Sequence, residues 1–124
     1  MATIRQVLDE VAEVQPNSCG NERLIRWLRQ LDMELYETVI RTHEGWERVQ
    51  RPAYTIETPD EEALMVREPY DSIYIHWLQA RIDWTNGEIG RFNNSNAAFE
   101  ADRQAFCAWF NRTHMPLQKE VRYF

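Results

Sequence analysis

The sequence predicts an all-α protein, built as a small bundle of about four helices. Apolar residues recur at three- and four-residue spacing over two long stretches, a pattern typical of helices with one buried face. Residues that favour helix starts precede these stretches, and clusters of Gly, Asn and Pro interrupt them. With 124 residues, 44% of them hydrophobic, the chain suits one compact domain with a real core. We expect a single domain over 1–124, with helices near 3–14, 21–42, 71–92 and 96–114.

The first two helices have the most regular pattern. Thr3 and Gln6 have the spacing of a capping box, in which each side chain bonds the other residue's backbone. Turn-forming residues at 15–20 separate this helix from the next, which Asn21 can cap. The second helix carries one apolar stripe, formed by Leu24, Leu28, Leu31, Leu35 and Val39. Asp32 lies off that stripe.

A long irregular loop over 43–70 separates the two helical stretches. Within it, the apolar residues of 49–56 and 64–66 could form two short strands of a β-hairpin around a Pro-Asp turn. A loop of this length is unusual in a compact domain and is often functional. Its candidate interface residues are Trp46, Tyr54 and Ile56. The aromatic side chains either pack onto the helices, which is the commoner outcome, or contact a partner.

The second helical stretch runs from Asp71, behind Pro69, to about residue 114. Apolar residues occupy more than one face of its first half, so this helix is either central to the fold or buried in an oligomer. Glycines at 87 and 90 weaken the helix, and the Asn-rich residues 93–96 weaken it again. The apolar register continues throughout, which fits one kinked helix or two helices. We place the break near 93–96.

The C-terminal tail, 115–124, follows Pro116 and is predicted to be extended. Its apolar and aromatic residues Val121, Tyr123 and Phe124 are unusual for a solvated tail. We therefore include them among the candidate interface residues, with a neighbouring subunit as the expected contact.

Composition argues against several classes of function. The net charge is −6, and an acidic chain is poorly suited to grip nucleic acid through phosphates, although it could line a channel through which DNA slides. No apolar run is long enough to span a membrane, and the first residues lack the apolar core of a signal peptide. We expect a soluble, intracellular protein with no membrane partner.

No residue pattern predicts catalysis, a metal or a cofactor. His43, His76 and His114 have no second ligand at metal-binding spacing, and His43 and His114 lie near predicted helix ends, where histidine is favoured. His76 and Asp83 share a helix face but could meet only loosely. Cys19 and Cys107 are far apart and should be free thiols. We therefore expect no catalytic residue, no metal site and no cofactor, and a protein that is not an enzyme.

Several short motifs occur in order along nearly the whole chain. They are Gln15-Pro16-Asn17, Arg26-Trp27-Leu28, Pro69-Tyr70-Asp71, Tyr74-Ile75-His76-Trp77, Ile82-Asp83-Trp84, Asn86-Gly87-Glu88, Arg91-Phe92-Asn93-Asn94-Ser95 and Asn111-Arg112-Thr113-His114-Met115-Pro116. Each is weak alone. Their order and spacing together resemble the small head-to-tail connector proteins, also called adaptor or head-completion proteins, of tailed bacteriophages and prophages.

The resemblance implies a helical subunit of a closed ring, usually dodecameric, at the head-tail junction of the virion. Such a ring sits beneath the portal protein, seals the filled head, joins it to tail-side connector proteins, and lets DNA pass without sequence-specific binding. Assembly would take place in the cytoplasm of the bacterial host. The alternative is a stand-alone helical module for protein–protein interaction that forms no ring. An enzyme is a distant third.

Overall fold

The computed structural model describes residues 2–117, which form four α-helices joined by turns and one long loop. The helices are α1 (Ile4–Val14), α2 (Asn21–Thr38), α3 (Ser72–Thr85) and α4 (Ile89–Thr113). Two short 3-10 turns, Ile40–Thr42 and Trp46–Arg48, lie between α2 and α3. Because residues 2–117 contain no strand or sheet, the predicted all-α bundle is confirmed.

The core lies where α1, α2 and α3 meet, and α4 packs along α3. Fully buried side chains come from all three of the first helices: Ile4, Val11, Leu28, Leu35, Ile73, Leu78 and Ile82. Burying one such side chain contributes roughly 1.5 to 3 kcal/mol. The predicted capping box is present, since the Thr3 and Gln6 side chains each accept a hydrogen bond from the other residue's backbone amide.

Helices α3 and α4 form an antiparallel hairpin. The Trp77 ring packs on Phe99 with ring centroids 5.0 Å apart, and the Trp84 ring packs on Phe92 with centroids 5.2 Å apart. Residue numbers rise along α3 as they fall along α4, so the helices are antiparallel, and the apolar residues of this stretch belong to two helices. Pairs of this kind add about 0.5 to 1.5 kcal/mol beyond area burial.

The hairpin turns at 86–88, so the predicted break at 93–96 is wrong. Gly87 adopts a φ of +72°, a left-handed conformation that glycine tolerates and that ends α3. Residues 93–96 continue inside α4 because their polar side chains have other partners. Asn93 and Asn94 are exposed to water, and the Ser95 hydroxyl donates to Asp83.

The two short strands expected in the mid-chain loop do not form. Among residues 2–117, β-type pairing is limited to two isolated bridges, Thr3 with Ala63 and His43 with Pro116. Proline at 52 and 59 removes two backbone donors from the loop. The side chains of Asp32 and Tyr74, on the helices, accept hydrogen bonds from the loop amides of Met65 and Val66, so this part of the loop is held without a sheet.

The ends of α2 also differ from expectation. The α-helix stops at Thr38, and a 3-10 turn replaces the α-helix predicted to reach Thr42. The hydroxyl of Thr42 donates to the Val39 carbonyl and satisfies it within the tighter turn. At the other end, Asn21 is the first helical residue and its side chain makes no capping hydrogen bond. Gly20 occupies the cap position that the sequence assigned to Asn21.

Candidate functional site

A buried polar cluster around Asp32 joins α2, α3 and the mid-chain loop. The hydroxyl of Tyr74, on α3, donates to Asp32 Oδ1 over 2.7 Å, and the hydroxyl of Tyr54, in the loop, donates to Oδ2 over 2.9 Å. Asp32 itself is completely buried. A buried carboxylate is tolerated when its oxygens accept hydrogen bonds, so the two tyrosines make the position possible.

The same cluster fixes the backbone of the loop. The amide of Val66 donates to the Tyr74 hydroxyl over 2.7 Å, and the amide of Met65 donates to Asp32 at a longer 3.4 Å. The Arg29 guanidinium donates to the Tyr54 carbonyl over 3.2 Å. Both ends of the irregular stretch between Tyr54 and Met65 are therefore tied to the helices by hydrogen bonds to side chains.

Burial dominates the electrostatics of the cluster. It raises the pKa of Asp32 from 3.8 to about 6, although the hydrogen bonds from Tyr74 and Tyr54 act in the opposite direction. Burial, together with the nearby Asp32 charge, also raises the pKa of both tyrosines above the usual range, so their hydroxyls remain donors. Asp32 therefore takes up a proton more readily than an exposed carboxylate does.

Sequence reasoning missed Asp32, which lies off the leucine stripe but is not on an exposed face. A second row on α2, with spacing of three and four residues, runs through Ile25, Leu28, Asp32 and Tyr36, and all four are buried. A lone carboxylate within such an apolar row is the signal that could have identified it. Its partners Tyr54 and Tyr74 lie 22 and 42 residues away in sequence, so the row alone would not have named them.

An open groove of about 400 Å³ lies beside this cluster. Its walls are two stretches of the loop, 49–54 and 62–65, and Asp32 and Thr58 also line it. The lining mixes aliphatic, aromatic and charged side chains, including Arg51 and Glu62. Among the described residues that line the groove, none is His, Cys, Ser or Lys.

The candidate interface residues of the loop have three different environments. Tyr54 is buried in the Asp32 cluster, so the packing alternative holds for it and its side chain is not offered to a partner. Trp46 is half-buried, with the Arg41 guanidinium 4.9 Å from its ring centroid. Ile56 is 47% exposed at the turn that follows the first groove wall. Val121, Tyr123 and Phe124 lie outside the described residues.

A second surface lies at the tip of the α3–α4 hairpin. Trp84 is 55% exposed and Ile89 is 56% exposed, although both are large and apolar. Trp84 contacts Phe92 across the turn, and Ile89, three residues before Phe92, lies on the same side of α4. Exposed apolar patches of this kind mark contact sites more often than single exposed leucines do.

A second buried carboxylate, Asp83, supports that tip. It accepts hydrogen bonds from the Gln15 side-chain amide over 2.6 Å and from the Ser95 hydroxyl over 2.8 Å. These contacts tie the end of α1 to both helices of the hairpin. The loose His76–Asp83 pair considered from sequence does not form, because His76 bonds Asp102 on α4 instead.

The remaining polar residues have structural environments. His43 follows the 3-10 turn and its Nδ1 donates to the Val39 carbonyl, as expected of a histidine near a helix end. His114 follows α4 and stacks on Phe110. Cys19 and Cys107 are both free thiols. Within residues 2–117, no group of three or more His, Cys, Asp or Glu side chains is arranged to hold a metal ion.

Comparisons with known proteins leave the chain without an assigned relative. No protein-family model, curated protein or solved structure matches it. Among the helices in the described part of the chain, none combines the length and apolar character needed to cross a membrane.

Proposed function

We propose that this chain is a structural subunit of the ring at the head-tail junction of a tailed bacteriophage or prophage. In that role it would sit beneath the portal protein, seal the filled head and join it to tail-side proteins while DNA passes through the lumen. The order of motifs along the chain supports this role, as does an acidic balance that suits a DNA channel.

The observation that carries the proposal is the presence of two different surfaces that residues 2–117 leave open. One is the apolar hairpin tip formed by Trp84, Ile89 and Phe92, and the other is the open groove of the mid-chain loop. A ring forms through heterologous contacts, in which one patch of a subunit meets a different patch of the next. A subunit of such a ring therefore needs two distinct surfaces.

Light scattering on a sizing column, across a range of protein concentrations, tests the proposal. The wild-type chain should form a large species as concentration rises. The double substitution Trp84→Ser with Ile89→Ser should shift that assembly to at least tenfold higher concentration, because it removes apolar area from the tip. Met115→Ser is the matched control, since Met115 is 64% exposed but lies after α4, away from the tip.

A monomer at every concentration, with or without added portal protein, would contradict the ring. In that case the stand-alone interaction module would be the better reading, since it uses the same exposed patches without closing a ring. An enzyme would require an activity lost on His76→Ala with the fold intact. His76 and the Ser72 hydroxyl both donate to Asp102 Oδ2, a contact that links α3 to α4, and we expect no such activity.

A further inference from the structure

The two walls of the groove are attached to the rest of the molecule in different ways. The wall over 62–65 pairs through its main chain with the start of α1. The Leu64 amide donates to the Ala2 carbonyl over 2.9 Å, and the Ile4 amide donates to the Glu62 carbonyl over 3.1 Å. These bonds join backbone to backbone, so they do not depend directly on the charge of a side chain.

The wall over 49–54 is attached mainly through one residue. Among the hydrogen bonds of residues 2–117, those that join this wall to an α-helix are both made by Tyr54. Its hydroxyl donates to Asp32 Oδ2 over 2.9 Å, and its carbonyl accepts from the Arg29 guanidinium over 3.2 Å. The contact between Tyr54 and Asp32 is therefore a main polar attachment of the wall.

Asp32 lies at the base of the groove, between the two walls. Its side chain is completely buried, yet it belongs to the groove lining. Tyr74, on α3, donates to Oδ1, whereas Tyr54 and the Met65 amide, one from each wall, donate to Oδ2. Displacement of the 49–54 wall would therefore let water reach Oδ2 while α2 and α3 keep their positions.

No cation compensates the charge of Asp32 within residues 2–117. Its three donors, two tyrosine hydroxyls and an amide, are uncharged, and none of the salt bridges in this part of the chain includes it. On α2, Arg29 bonds a loop carbonyl. Around the groove, Arg51 lies 4.0 Å from a glutamate of α2, and Glu62 is exposed. A buried carboxylate without a counter-ion is costly to keep ionised.

The closed wall therefore favours the protonated carboxyl. Burial raises the pKa of Asp32 from 3.8 to about 6, and contact with water would return the pKa towards 3.8. Because the pKa is higher in the closed form, this contribution to closure is fully present below about pH 4 and is lost as pH rises through about 6. The full difference corresponds to roughly a hundredfold change in the opening equilibrium. A protonated carboxyl keeps the contact, since it can donate to the Tyr54 hydroxyl or accept from it.

We propose that Asp32 and Tyr54 form a latch that holds the 49–54 wall closed while the carboxyl is protonated and releases the wall when the carboxyl is ionised. The opening is local, because the helices and the 62–65 wall have bonds of their own. The latch regulates the groove that the proposed function uses as an assembly surface, and its consequence for assembly rests on that proposed function.

A thiol placed on the wall measures the opening. In a chain carrying Cys19→Ser and Cys107→Ser, Pro52→Cys places the thiol at a buried position of the wall. Ala53→Cys, at the adjacent exposed position, is the matched control. A dithiodipyridine reagent at low concentration labels both thiols at acid and neutral pH. The ratio of the two rates removes the pH dependence of the labelling reaction itself and reports the fraction of open wall.

We expect the labelling rate at position 52, relative to that at 53, to rise at least tenfold between about pH 4.5 and about pH 7. Asp32→Asn keeps an uncharged side chain of the same shape, so its ratio should not change with pH. Tyr54→Phe removes the hydroxyl of the latch and should raise the ratio at least fivefold at the acid end. A ratio that is constant with pH, that changes equally in Asp32→Asn, or that Tyr54→Phe leaves unaltered would overturn the latch.

Dependence on urea separates local opening from unfolding of the whole chain. Low concentrations of urea should leave the ratio nearly unchanged, because a displaced wall exposes little surface. A ratio that rises as steeply with urea as global unfolding does would mean that the wall opens only with the whole chain, which would overturn the latch.

The labelling is done on the monomeric chain, so its result is independent of ring assembly. Rings formed by a chain whose labelling ratio does not change with pH would keep the connector role and overturn the latch. A labelling ratio that changes with pH as expected, in a chain that never assembles, would keep the latch and contradict the proposed function.

Discussion

Two aspartates are almost completely buried, and they organise different regions of the molecule. Asp32 accepts hydrogen bonds from two tyrosine hydroxyls and fixes the irregular loop against α2 and α3. Asp83 accepts hydrogen bonds from Gln15 and Ser95 at the hairpin tip. The loop is held by isolated turns, by backbone pairing with residues 2–5 and by side chains, whereas the hairpin consists of two regular α-helices.

The comparison of Asp32 with Asp83 indicates under which conditions a buried carboxylate determines the local structure. Around Asp83, the helices form by apolar and aromatic packing, and the carboxylate only links their ends. Around Asp32, the carboxylate accepts hydrogen bonds from the Tyr54 and Tyr74 hydroxyls and, at 3.4 Å, from the Met65 amide, so it links the loop to both α2 and α3. Removing the two carboxylates should therefore have unequal consequences.

The largest expected effect is that of Asp32→Ala. Two buried hydroxyls and one amide lose their acceptor, so the free energy of unfolding should fall by about 3 to 5 kcal/mol. Asp83→Ala should cost about 1 to 2 kcal/mol, since Gln15 and Ser95 are only partly buried and can turn to water. Urea unfolding followed by tryptophan fluorescence measures both. Equal losses would remove the distinction between the two regions.

The next effect is a dependence of stability on pH that comes from Asp32. Burial raises its pKa in the folded protein to about 6 from the 3.8 expected when exposed. The folded form therefore holds the proton more tightly, and the contribution of Asp32 to stability is fully present below about pH 4. That contribution is lost as pH rises through about 6.

Comparison with Asp32→Asn isolates this dependence from the other carboxylates. Between pH 4 and 7 the wild-type free energy of unfolding should fall by roughly 2 to 3 kcal/mol relative to that of the variant. Chemical unfolding at several pH values gives the two curves. Parallel curves would mean that Asp32 titrates normally in the folded protein.

The smallest expected effect on stability comes from two glycine substitutions that test where the hairpin turn lies. Gly87→Ala should lower stability by about 1 kcal/mol, because Gly87 has a φ of +72° that alanine adopts poorly. Gly90→Ala should raise stability by up to about 1 kcal/mol, since Gly90 lies within α4 and an added Cβ meets nothing within 4 Å. Thermal melts of the two variants compare them. Effects of the same sign would argue against a turn at 86–88.

Much of the fold follows from local patterns in the sequence. The capping box at Thr3 and the leucine stripe of α2 each predict what the structure has, and of the two forms that the apolar register of 71–114 allows, the structure has two helices. The hairpin turn was misplaced because four consecutive polar residues resemble a break. Those residues are compatible with a helix when their side chains form hydrogen bonds with water or with a distant carboxylate such as Asp83.

Less of the candidate site was predictable, because it depends on contacts between distant residues. The loop was recognised as unusual, and Ile56 is exposed there as an interface residue would be. The Tyr54 hydroxyl donates to Asp32, 22 residues away. The sequence pattern around neither residue indicates that the two side chains pair. The groove arises only after both of its walls have been fixed by side chains from α2 and α3.

The most direct test of ring assembly through two surfaces is negative-stain imaging of the large species from the sizing column. Closed rings with a central hole are expected from the wild-type chain, and they should be lost when Trp84 and Ile89 are both replaced by Ser. A wild-type chain that yields no closed ring, alone or with portal protein, would contradict the proposed function.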